Sequence, residues 1–518
     1  MKLLKIIFIV LLSLILILGI SLWLATKFIK PGWVKPYINK QLTAITGQHS
    51  QIKGAIKWDI FPSPGIQVQD IQIGEQPGKD NLYLYIDKLL LKLELKPLIQ
   101  RQIIFKNIKI NGFKAQINAN APSKTPQKST TKVEPAQPKQ PIEKKPANFE
   151  FAIDNFALNN GEVIFSNKEQ TITLSDMSAS LNQFKMDNQF FPIHFQSHIN
   201  VRAPGHKGKA SLKYRGKTKI NPALLLAENP AQHIHSEGQL QINDITYDTF
   251  TINNIATTLI IKDSLVSLNP LTISLYDGKS VGNASYHLNT QQFNVNQTAT
   301  NINVGKLINQ MVEKHLIDGS LDFIMNSSGS LKGVDWQKSI RAKGNATIKD
   351  GKLFFLDVDQ LIVDLTKQLK FLTNDNQVNM DIASQLANLN PESYQKGTTA
   401  FKLLSLNYDL FNNLQVRNSF ILQTNHVALN GEGLIDINAM TINDQLILKI
   451  ISDSKQLAEL QSIFDNGIPL VMKGELAKPL VYPDLRQLTS IISKHLIKKT
   501  FNKPINQLKN ELKGLFGR

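Results

Sequence analysis

Apolar and polar residues alternate over long stretches of the chain, and this period of two predicts β-strands. Every second residue from Leu89 to Leu95 is leucine, and two of the three residues between them are charged. Such a strand has one apolar and one polar face. Pro97-Leu98 begins a turn, and the isoleucines from Ile104 to Ile110 continue the apolar face on a second strand. We therefore predict a hairpin that ends before Gly112.

The same alternation recurs from Phe149 to about Val481, in short runs separated by Asn, Asp and Gly. Leu404, Leu406 and Leu410 belong to one such run. At roughly 8 to 12 residues per strand and turn, this region would hold about 30 strands. Open sheets rarely exceed about 10 strands without curling, so the body must curve into a trough or split into packed sheets. The pattern predicts a mainly β fold and leaves both arrangements open.

An apolar run without charge or proline extends from Ile6 to Ala25. Its twenty residues, at about 1.5 Å each, give roughly 30 Å of helix, which matches the hydrocarbon thickness of a bilayer. We predict a single transmembrane anchor, since a cleaved signal peptide would have a shorter apolar stretch and a small-x-small site, which Trp23-Leu24-Ala25 lacks. Lysines flank both ends, so charge does not decide the orientation. We expect a cytoplasmic N-terminus because long downstream domains translocate largely regardless of charge.

Two further segments have the apolar spacing of amphipathic helices. One is Tyr37 to Ile45, just after the predicted anchor. The other is Asp484 to Arg518, in which leucines and isoleucines lie opposite basic residues and Pro504 interrupts the pattern. A basic amphipathic helix can cap the β body, or it can bind an anionic membrane surface or a partner. The pattern leaves these roles open.

Residues Ala121 to Ala147 contain six prolines, six lysines and no aromatic residue. Such a composition neither pairs in a sheet nor buries a core, so we predict a solvated linker or disordered loop whose deletion leaves folding largely intact. The predicted segments are then an anchor, an N-terminal β domain, the linker, a repetitive β body and C-terminal helices, at residues 1–30, 31–120, 121–148, 149–483 and 484–518.

The composition excludes several kinds of site. The chain of 518 residues has no cysteine, which excludes disulfides, thiolate zinc sites, iron-sulfur clusters and cysteine nucleophiles. Its formal net charge of +17 favours anionic partners, either nucleic acid or acidic lipid head groups. With an anchor that holds the body outside the cytoplasm, we expect lipid and no nucleic acid.

Two sequence features come close to chemical motifs without completing them. Asp277-Gly278-Lys279-Ser280 ends like a phosphate-binding loop, but Ile273 stands where that loop needs a glycine. Asp357 and Asp359 would share a strand face, but an acid/base pair also needs a pocket and two different environments. Neither feature predicts a nucleotide site or catalysis, and we predict that the protein is not an enzyme.

The histidines do not form a metal-binding pattern. His233 and His235 could place two imidazoles on one strand face, and His194 and His198 recur at a spacing of four. Neither pair has carboxylates nearby at the spacing of metal ligands. We interpret these histidines as surface residues and predict neither a metal site nor a cofactor.

Several short motifs resemble the AsmA family. The opening pattern consists of Leu42-Thr43-Ala44-Ile45-Thr46-Gly47, Gly54, Trp58, Phe61-Pro62, Pro64-Gly65-Ile66 and Pro97-Leu98. Further on, Leu275-Tyr276-Asp277-Gly278 with Gly282 is similar to a recurrent family turn, although Asp277 replaces the usual glycine. Later motifs resemble the C-terminal half of the family, namely Gly319-Ser320-Leu321, Gly329, Asp350-Gly351, Gly431-Glu432-Gly433, Pro469, Gly474, Pro479 and Pro483-Asp484. The resemblance covers most of the chain outside the proline-rich linker.

This resemblance implies a protein of the Gram-negative inner membrane whose body lies in the periplasm. Its relatives, which include chorein-type bridge proteins, carry lipid along a β groove. It implies an elongated, curved, antiparallel β-sheet groove with a few amphipathic helices. The apolar sheet face would solvate acyl chains while the polar face meets water. We expect passive conduction of phospholipid toward the outer membrane during outer-membrane biogenesis.

An apolar face would equally fill the core of a closed sandwich, so alternation alone does not establish a groove. If the groove is open, the best lining candidates are leucines in cleanly alternating runs, namely Leu91, Leu93, Leu404, Leu406 and Leu410. The alternative function is a scaffold or assembly factor for outer-membrane proteins, in which exposed strand edges pair with clients. Expected partners are phospholipids, the inner membrane and, for the scaffold, outer-membrane or periplasmic proteins.

Overall fold

A computed structural model describes most of the chain. The described residues are 11, 13–19, 35–46, 48–59, 63–74, 77, 80–97, 102–120, 150–185, 187–221, 230–374, 392–452 and 457–501. The predicted linker at residues 121–148 lies outside the described residues. So do most of the predicted anchor and the last part of the C-terminal segment, residues 502–518.

The fold is mainly β, as the alternating pattern predicts, and the described chain contains 22 strands. In chain order they are β1 (Ser50–Ile52), β2 (Ile56–Asp59), β3 (Gly65–Ile73), β4 (Leu82–Leu93), β5 (Gln102–Asn118), β6 (Glu150–Ser166), β7 (Thr171–Lys185), β8 (Phe191–Ala203), β9 (His206–Ile220), β10 (Ile234–Tyr247), β11 (Phe250–Lys262), β12 (Leu265–Leu275), β13 (Gly278–His287), β14 (Gln292–Asn303), β15 (Ile317–Ser330), β16 (Arg341–Leu353), β17 (Thr399–Phe411), β18 (Gln415–Gln423), β19 (Val427–Asp436), β20 (Thr441–Ile450), β21 (Ile468–Glu475) and β22 (Lys478–Pro483).

The number of strands in the predicted β body is lower than expected. Its described part holds 17 strands, β6 to β22, where the sequence suggested about 30. The difference arises because many strands are long. β6 and β7, for example, have 17 and 15 residues, so one strand and its turn use more residues than the 8 to 12 that the expectation assumed.

Seven α-helices accompany the strands in the described chain: α1 (Lys35–Thr46), α2 (Val304–Val312), α3 (Trp336–Ser339), α4 (Val358–Asn374), α5 (Glu392–Gln395), α6 (Ala458–Ile463) and α7 (Leu485–Phe501). Residues 13–19 are helical as well. α1 and α7 confirm the helical spacing after Tyr37 and after Asp484.

The strand face predicted for Asp357 and Asp359 was wrong. Asp357 precedes α4, and its carboxylate oxygen Oδ1 accepts a hydrogen bond from the backbone N–H of Gln360 at 2.9 Å. Asp359 lies in the first turn of the same helix. Acidic side chains in these positions satisfy the free N–H groups of a helix start and favour its dipole. The two aspartates therefore stabilise a helix terminus.

The described chain divides into two units. Unit 1 comprises Met1–Ile273 and Ser285–Asn289, and unit 2 comprises Ser274–Ala284 and Thr290–Arg518. The predicted segment boundaries differ from this division. They separate residues 31–120 from the later β body, whereas β5 and β6, on either side of the predicted linker, are paired neighbours within unit 1.

Unit 1 contains the hairpin predicted from the leucine and isoleucine pattern. β4 and β5 pair antiparallel, with Leu89 opposite Ile110 and Leu91 opposite Ile108. The prediction that the second strand ends before Gly112 was wrong. Gly112 has a positive φ of +66°, but pairing resumes beyond it, and β5 continues to Asn118. A glycine inside a strand pattern can thus mark a local kink instead of an end.

The pairing of β5 with β6 is parallel, whereas the pairs around it are antiparallel. Gln102 lies opposite Glu150 at one end, and Asn118 lies opposite Ser166 at the other. This parallel pair departs from the antiparallel sheet that the family resemblance implies. Because β5 and β6 are parallel, Asn118, where β5 ends, and Glu150, where β6 begins, lie at opposite ends of the pair.

Helical residues cover the apolar sheet face of unit 1. Ile38 and Leu42 of α1 and Leu14 and Leu18 of the helical residues 13–19 are fully buried in one cluster with the leucines of β4. Among the described residues, no helix has both the length and the apolar character needed to cross a bilayer. The predicted anchor, Ile6 to Ala25, includes Leu14 and Leu18, which pack in this cluster; the rest of it lies largely outside the described residues, and the anchor stays a prediction.

In unit 2, the strands β14 to β22 pair antiparallel in chain order. Their apolar face packs with α4 and α7 in one cluster of buried side chains. Asp484 begins α7 by accepting the backbone N–H of Gln487 at 3.0 Å. Leu488 and Ile492 of α7 are buried in the cluster, whereas Ile497 is 56% exposed. The first half of this helix therefore caps the unit.

Candidate functional site

An apolar cavity of about 380 Å³ lies on the sheet face of unit 2. The strands β17 to β22 form its floor. Its walls are formed by α2, by the residues at the start of β15 and by the residues at the end of β16. Its apolar lining residues are Ile308, Met311, Val312, Leu316, Ile317, Leu353, Phe355, Leu356, Leu404, Leu406, Phe420, Leu422, Leu429, Ile435, Ile437, Met440, Ile442, Leu446, Met472, Leu476, Pro479 and Val481. Asn418 and Asp444 complete the lining.

The floor follows from the alternation of side chains along paired strands. Leu404 lies opposite Leu422, and Leu406 lies opposite Phe420, so these four side chains point to one face. On the same strand, Ser405 and Asn407 point to the opposite face. Since apolar area removed from water is worth roughly 25 cal/mol per Å², a surface of this kind favours an apolar occupant over water.

The polar pair in the floor is held by three adjacent strands. Asn418 of β18 lies opposite Gly433 of β19, and Gly433 lies opposite Asp444 of β20. The Nδ2 group of Asn418 donates to Oδ1 of Asp444 at 3.0 Å, across the middle strand. A Cβ atom on Gly433 would lie 2.3 Å from that same Oδ1. The glycine therefore leaves the space in which the two side chains meet.

Asp444 is fully buried, and Asn418 is 3% exposed. Burial raises the pKa of the Asp444 carboxyl, against the opposing effects of the Asn418 side chain and the Leu434 backbone N–H, which both donate to it. The neutral form is thus favoured relative to an exposed aspartate. The second oxygen, Oδ2, has no hydrogen-bond partner among the residues that the structure describes. An orphaned buried polar atom is rare and requires an explanation.

The cavity meets solvent at an apolar rim. Met311, Ile437 and Met440 line it and are between 38% and 52% exposed. Met440 directly precedes β20. Asp444 is four residues after Met440, and Leu446 is two residues further from the rim. The polar pair is therefore closer to the rim than the leucine floor is.

The defining sequence pattern of the AsmA family matches this chain twice, over residues 1–235 and 225–410. The chain belongs to the AsmA family. This AsmA-family membership confirms the resemblance seen in the sequence motifs. No curated protein and no solved structure matches the chain significantly.

The AsmA-like turn at Leu275-Tyr276-Asp277-Gly278 joins β12 to β13. Tyr276 and Asp277 both have positive φ, at 45° and 67°, as a two-residue hairpin turn requires. Asp277 pairs with Lys306 at 2.6 Å, and the buried Tyr276 donates its hydroxyl to Gln310. Both partners belong to α2, so the turn fixes the helix that supplies one wall of the cavity. The Lys306 side chain holds the pKa of Asp277 below its usual range.

The five predicted groove leucines lie in three different environments. Leu404 and Leu406 line the cavity of unit 2. Leu410, on the same strand, is half-buried and is not a lining residue in the described chain. Leu91 and Leu93 are at most 1% exposed, inside the packed cluster of unit 1. That all five line one lipid groove in this AsmA-family protein stays a prediction.

Asn418 and Asp444 did not emerge from the sequence analysis. Twenty-six positions separate them, and their pairing depends on the order of three strands. The signal that could have found them is Gly431-Glu432-Gly433, two glycines on one face of a strand otherwise rich in large residues. Glycine inside a strand indicates that another group approaches the backbone closely.

The histidines singled out by spacing lie in unit 1. His233 ends the short 3₁₀ helix Pro230–His233, and His235 lies on β10, so the two histidines do not share a strand. His194 lines a hollow of about 550 Å³ with Lys213 and Arg215, and Nδ1 of His198 lies 3.1 Å from a carboxylate oxygen of Asp176. Within the described ranges, no three potential metal ligands cluster.

Proposed function

We propose that this AsmA-family protein is anchored in the inner membrane and conducts phospholipid through the periplasm toward the outer membrane. The observation that carries the proposal is the apolar cavity on the sheet face of unit 2. Its described lining is apolar except for one polar pair, and it includes Leu404 and Leu406, two of the five leucines that the sequence offers as groove candidates. Because protein interiors are close-packed, an apolar cavity of this size on a sheet face supports an apolar occupant.

The mechanism needs no covalent chemistry and no cofactor. Acyl chains leave water for the apolar strand face, while head groups remain at the solvated rim. Each buried methylene contributes about 0.8 kcal/mol, so a chain binds without any specific reaction. Passive conduction follows if successive sites are similar in affinity, and direction comes from the membranes that donate and accept the lipid.

Site-specific photo-crosslinking tests the proposal. A benzophenone amino acid is placed at position 406, whose side chain lines the cavity, and separately at position 407, whose side chain is exposed on the other face. In cells fed with radiolabelled phosphate, we expect phospholipid to crosslink to the protein at position 406 and not at 407. Equal labelling at both positions, or none at either, would contradict lipid conduction along this face.

The location of the protein can be tested independently. If Ile6 to Ala25 is an uncleaved anchor, the protein fractionates with the inner membrane and its N-terminal sequence is intact. Protease added to spheroplasts should then digest the body. A mature chain that starts near residue 26, or protection from external protease, would contradict this orientation.

The strand edges weigh against the alternative of a scaffold that pairs with client strands. β22 pairs only with β21 in the described chain, and it carries Pro479 and Pro483, which cannot donate to a ladder. The Val481 carbonyl already accepts the side-chain N–H of Gln395 at 2.9 Å. In unit 1, β1 and β2 are only 3 and 4 residues long. Short or proline-bearing edges are the usual protection against strand addition.

A further inference from the structure

We propose that the Asn418–Asp444 pair recognises the carbonyl group of a single acyl chain bound in the cavity of unit 2. The chain lies along the leucine floor, and its carbonyl oxygen accepts a hydrogen bond from the Asp444 carboxyl. This inference rests on the proposed function and specifies the ligand of that site. Ester and free-acid carbonyls share this chemistry.

The geometry of the carboxyl defines what it can bind. Oδ1 of Asp444 already accepts from Asn418, which leaves Oδ2 for a ligand. Oδ2 is buried and has no partner within the described residues; Asp444 lines the cavity, and a ligand reaches Oδ2 when the lining side chains beside it move apart. An unpaired polar atom in such a position destabilises the folded protein, and a ligand that bonds to it removes that cost.

The surroundings select a neutral partner. The lining contains no basic side chain, and an ammonium group would have to be desolvated together with an ionised Asp444, which is costly even for a good pair. A neutral carboxyl carries a proton on one oxygen and can donate it. A carbonyl oxygen accepts that proton and brings no charge into the cavity. The acyl carbonyl is therefore the group that fits.

The position of the pair suits an amphiphile. In a lipid, the carbonyl lies between the polar head and the hydrocarbon chain. In the cavity, Asp444 lies between the exposed rim at Met440 and the floor at Leu446 and Leu404. The volume of about 380 Å³ is at the small end of the roughly 300 to 1,000 Å³ of ligand pockets. This favours one chain with its carbonyl at the polar pair and its head at the rim.

The test compares two ligands that differ in one carbonyl. The full chain, kept in solution by an amphipathic polymer, is titrated calorimetrically with myristoyl lysophosphatidylcholine and with its O-tetradecyl ether analogue. We expect the wild type to prefer the ester by roughly three- to tenfold, the worth of one neutral hydrogen bond. Asp444→Leu should bind both ligands equally. Asp409→Leu, at an exposed position of β17 outside the cavity, should keep the wild-type preference.

Two further arms keep the outcomes separate. If Asp444→Leu does not fold, the double variant Asn418→Leu/Asp444→Leu replaces both partners and leaves no orphaned amide. Titration with myristic acid identifies the source of the carbonyl group. If only the acid binds in a way that depends on Asp444, the site is assigned to free fatty acid. If both the acid and the ester do so, the site is assigned to acyl carbonyls in general.

The outcomes distinguish this inference from the proposed function. An ester preference that persists in the leucine variants, or a wild type that shows neither an ester preference nor an Asp444-dependent affinity for myristic acid, overturns the role of Asp444 while lipid labelling at position 406 stands. Failure of both ligands to bind, together with absent labelling at 406, overturns both proposals.

Discussion

The ring of Phe420 lies over Gly431, so close that a Cβ atom on the glycine would come within 2.3 Å of it. On the other side, the same Cβ would lie 2.8 Å from the side chain of Leu446. Phe420 and Leu446 thus approach each other above a strand that contributes no side chain there. Gly431 and Gly433 together set the depth of the cavity floor, the first beneath apolar side chains and the second beneath the polar pair.

Gly431→Ala should therefore narrow the cavity. The added methyl group displaces the Phe420 ring into the cavity, and overpacking of this kind costs about 1 to 3 kcal/mol. We expect a melting midpoint lowered by roughly 3 to 10 °C and weaker phospholipid labelling at position 406. The control is Glu432→Ala, the exposed neighbour on the same strand, which should change neither property. Unchanged labelling in a folded Gly431→Ala protein would show that the floor does not contact lipid.

Paired aspartate substitutions should separate an open surface from a filled core. Leu404→Asp/Leu406→Asp places charge in a cavity that meets solvent, so we expect the protein to fold and to lose phospholipid labelling. Leu91→Asp/Leu93→Asp places charge among side chains that are at most 1% exposed, where an unpaired carboxylate costs several kcal/mol. That variant should melt about 10 °C or more lower.

Circular dichroism melting and photo-crosslinking measure the two effects. A folded Leu91→Asp/Leu93→Asp protein would mean that the face of β4 is open, as the alternation first suggested. Wild-type labelling of the Leu404→Asp/Leu406→Asp protein would remove these leucines from the lipid path.

The free energy of unfolding should depend on pH through Asp444, at pH values above the normal pKa of an aspartate. Burial raises the pKa of this carboxyl in the folded state. The folded protein therefore holds the proton at pH values where the unfolded chain has lost it, and the contribution of Asp444 declines as the pH rises through the folded pKa. Asp444→Asn, which cannot ionise, should reduce this decline. Denaturant titrations between pH 4 and 8 check it; equal slopes in both proteins would contradict the expected shift.

Much of the strand pattern could be predicted from the sequence, but the filling of the sheet could not. Leu91 and Leu404 belong to equally clean alternating runs, and each lies on the apolar face of its strand. Leu91 is fully buried because Ile38 and Leu14, distant in the chain, pack in the same cluster. Leu404 lines a cavity. Periodicity specifies the face of a side chain, whereas the groups that cover this face come from elsewhere in the chain.

The polar pair was hidden for a related reason. Asn418 and Asp444 are ordinary residues of strand patterns, and only the order β18, β19, β20 brings their side chains together across Gly433. No local rule of spacing joins residues on non-adjacent strands. The family motif around Gly431 marked the right strand, but the resemblance gave no physical reason for its glycines.

The capping role of α7 can be measured directly. Leu488 is fully buried in the cluster of unit 2, so Leu488→Ala should lower the free energy of unfolding by about 2 to 5 kcal/mol. Ile497→Ala, on the exposed part of the same helix, should change it by less than about 0.5 kcal/mol. Denaturant unfolding provides both values. If the two variants are equally stable, packing of α7 does not stabilise unit 2. The basic face of α7 would then be the candidate for the function of this helix.

The number of residues between β5 and β6 should be essential for the pairing of these strands. This differs from the expectation, based on composition, that the segment can be deleted. The two strands are parallel, so the chain leaves β5 at Asn118 and must return to Glu150, beside Gln102. For a strand of 17 residues this distance is roughly 50 Å. Deletion of Ala121 to Ala147 leaves only four residues between Asn118 and Glu150, and these reach at most about 18 Å. The deletion must therefore break the pairing.

Two variants separate length from sequence at this connection. Replacing residues 121–147 with a Gly/Ser segment of equal length preserves the reach, so we expect normal melting and normal phospholipid labelling. The deletion should lower the melting midpoint or expose β6 to limited proteolysis, because the strand loses its neighbour on one side. If the deletion protein instead melts like the wild type, β5 and β6 are not parallel neighbours. If the Gly/Ser protein is destabilised, the prolines and lysines themselves contribute to the fold.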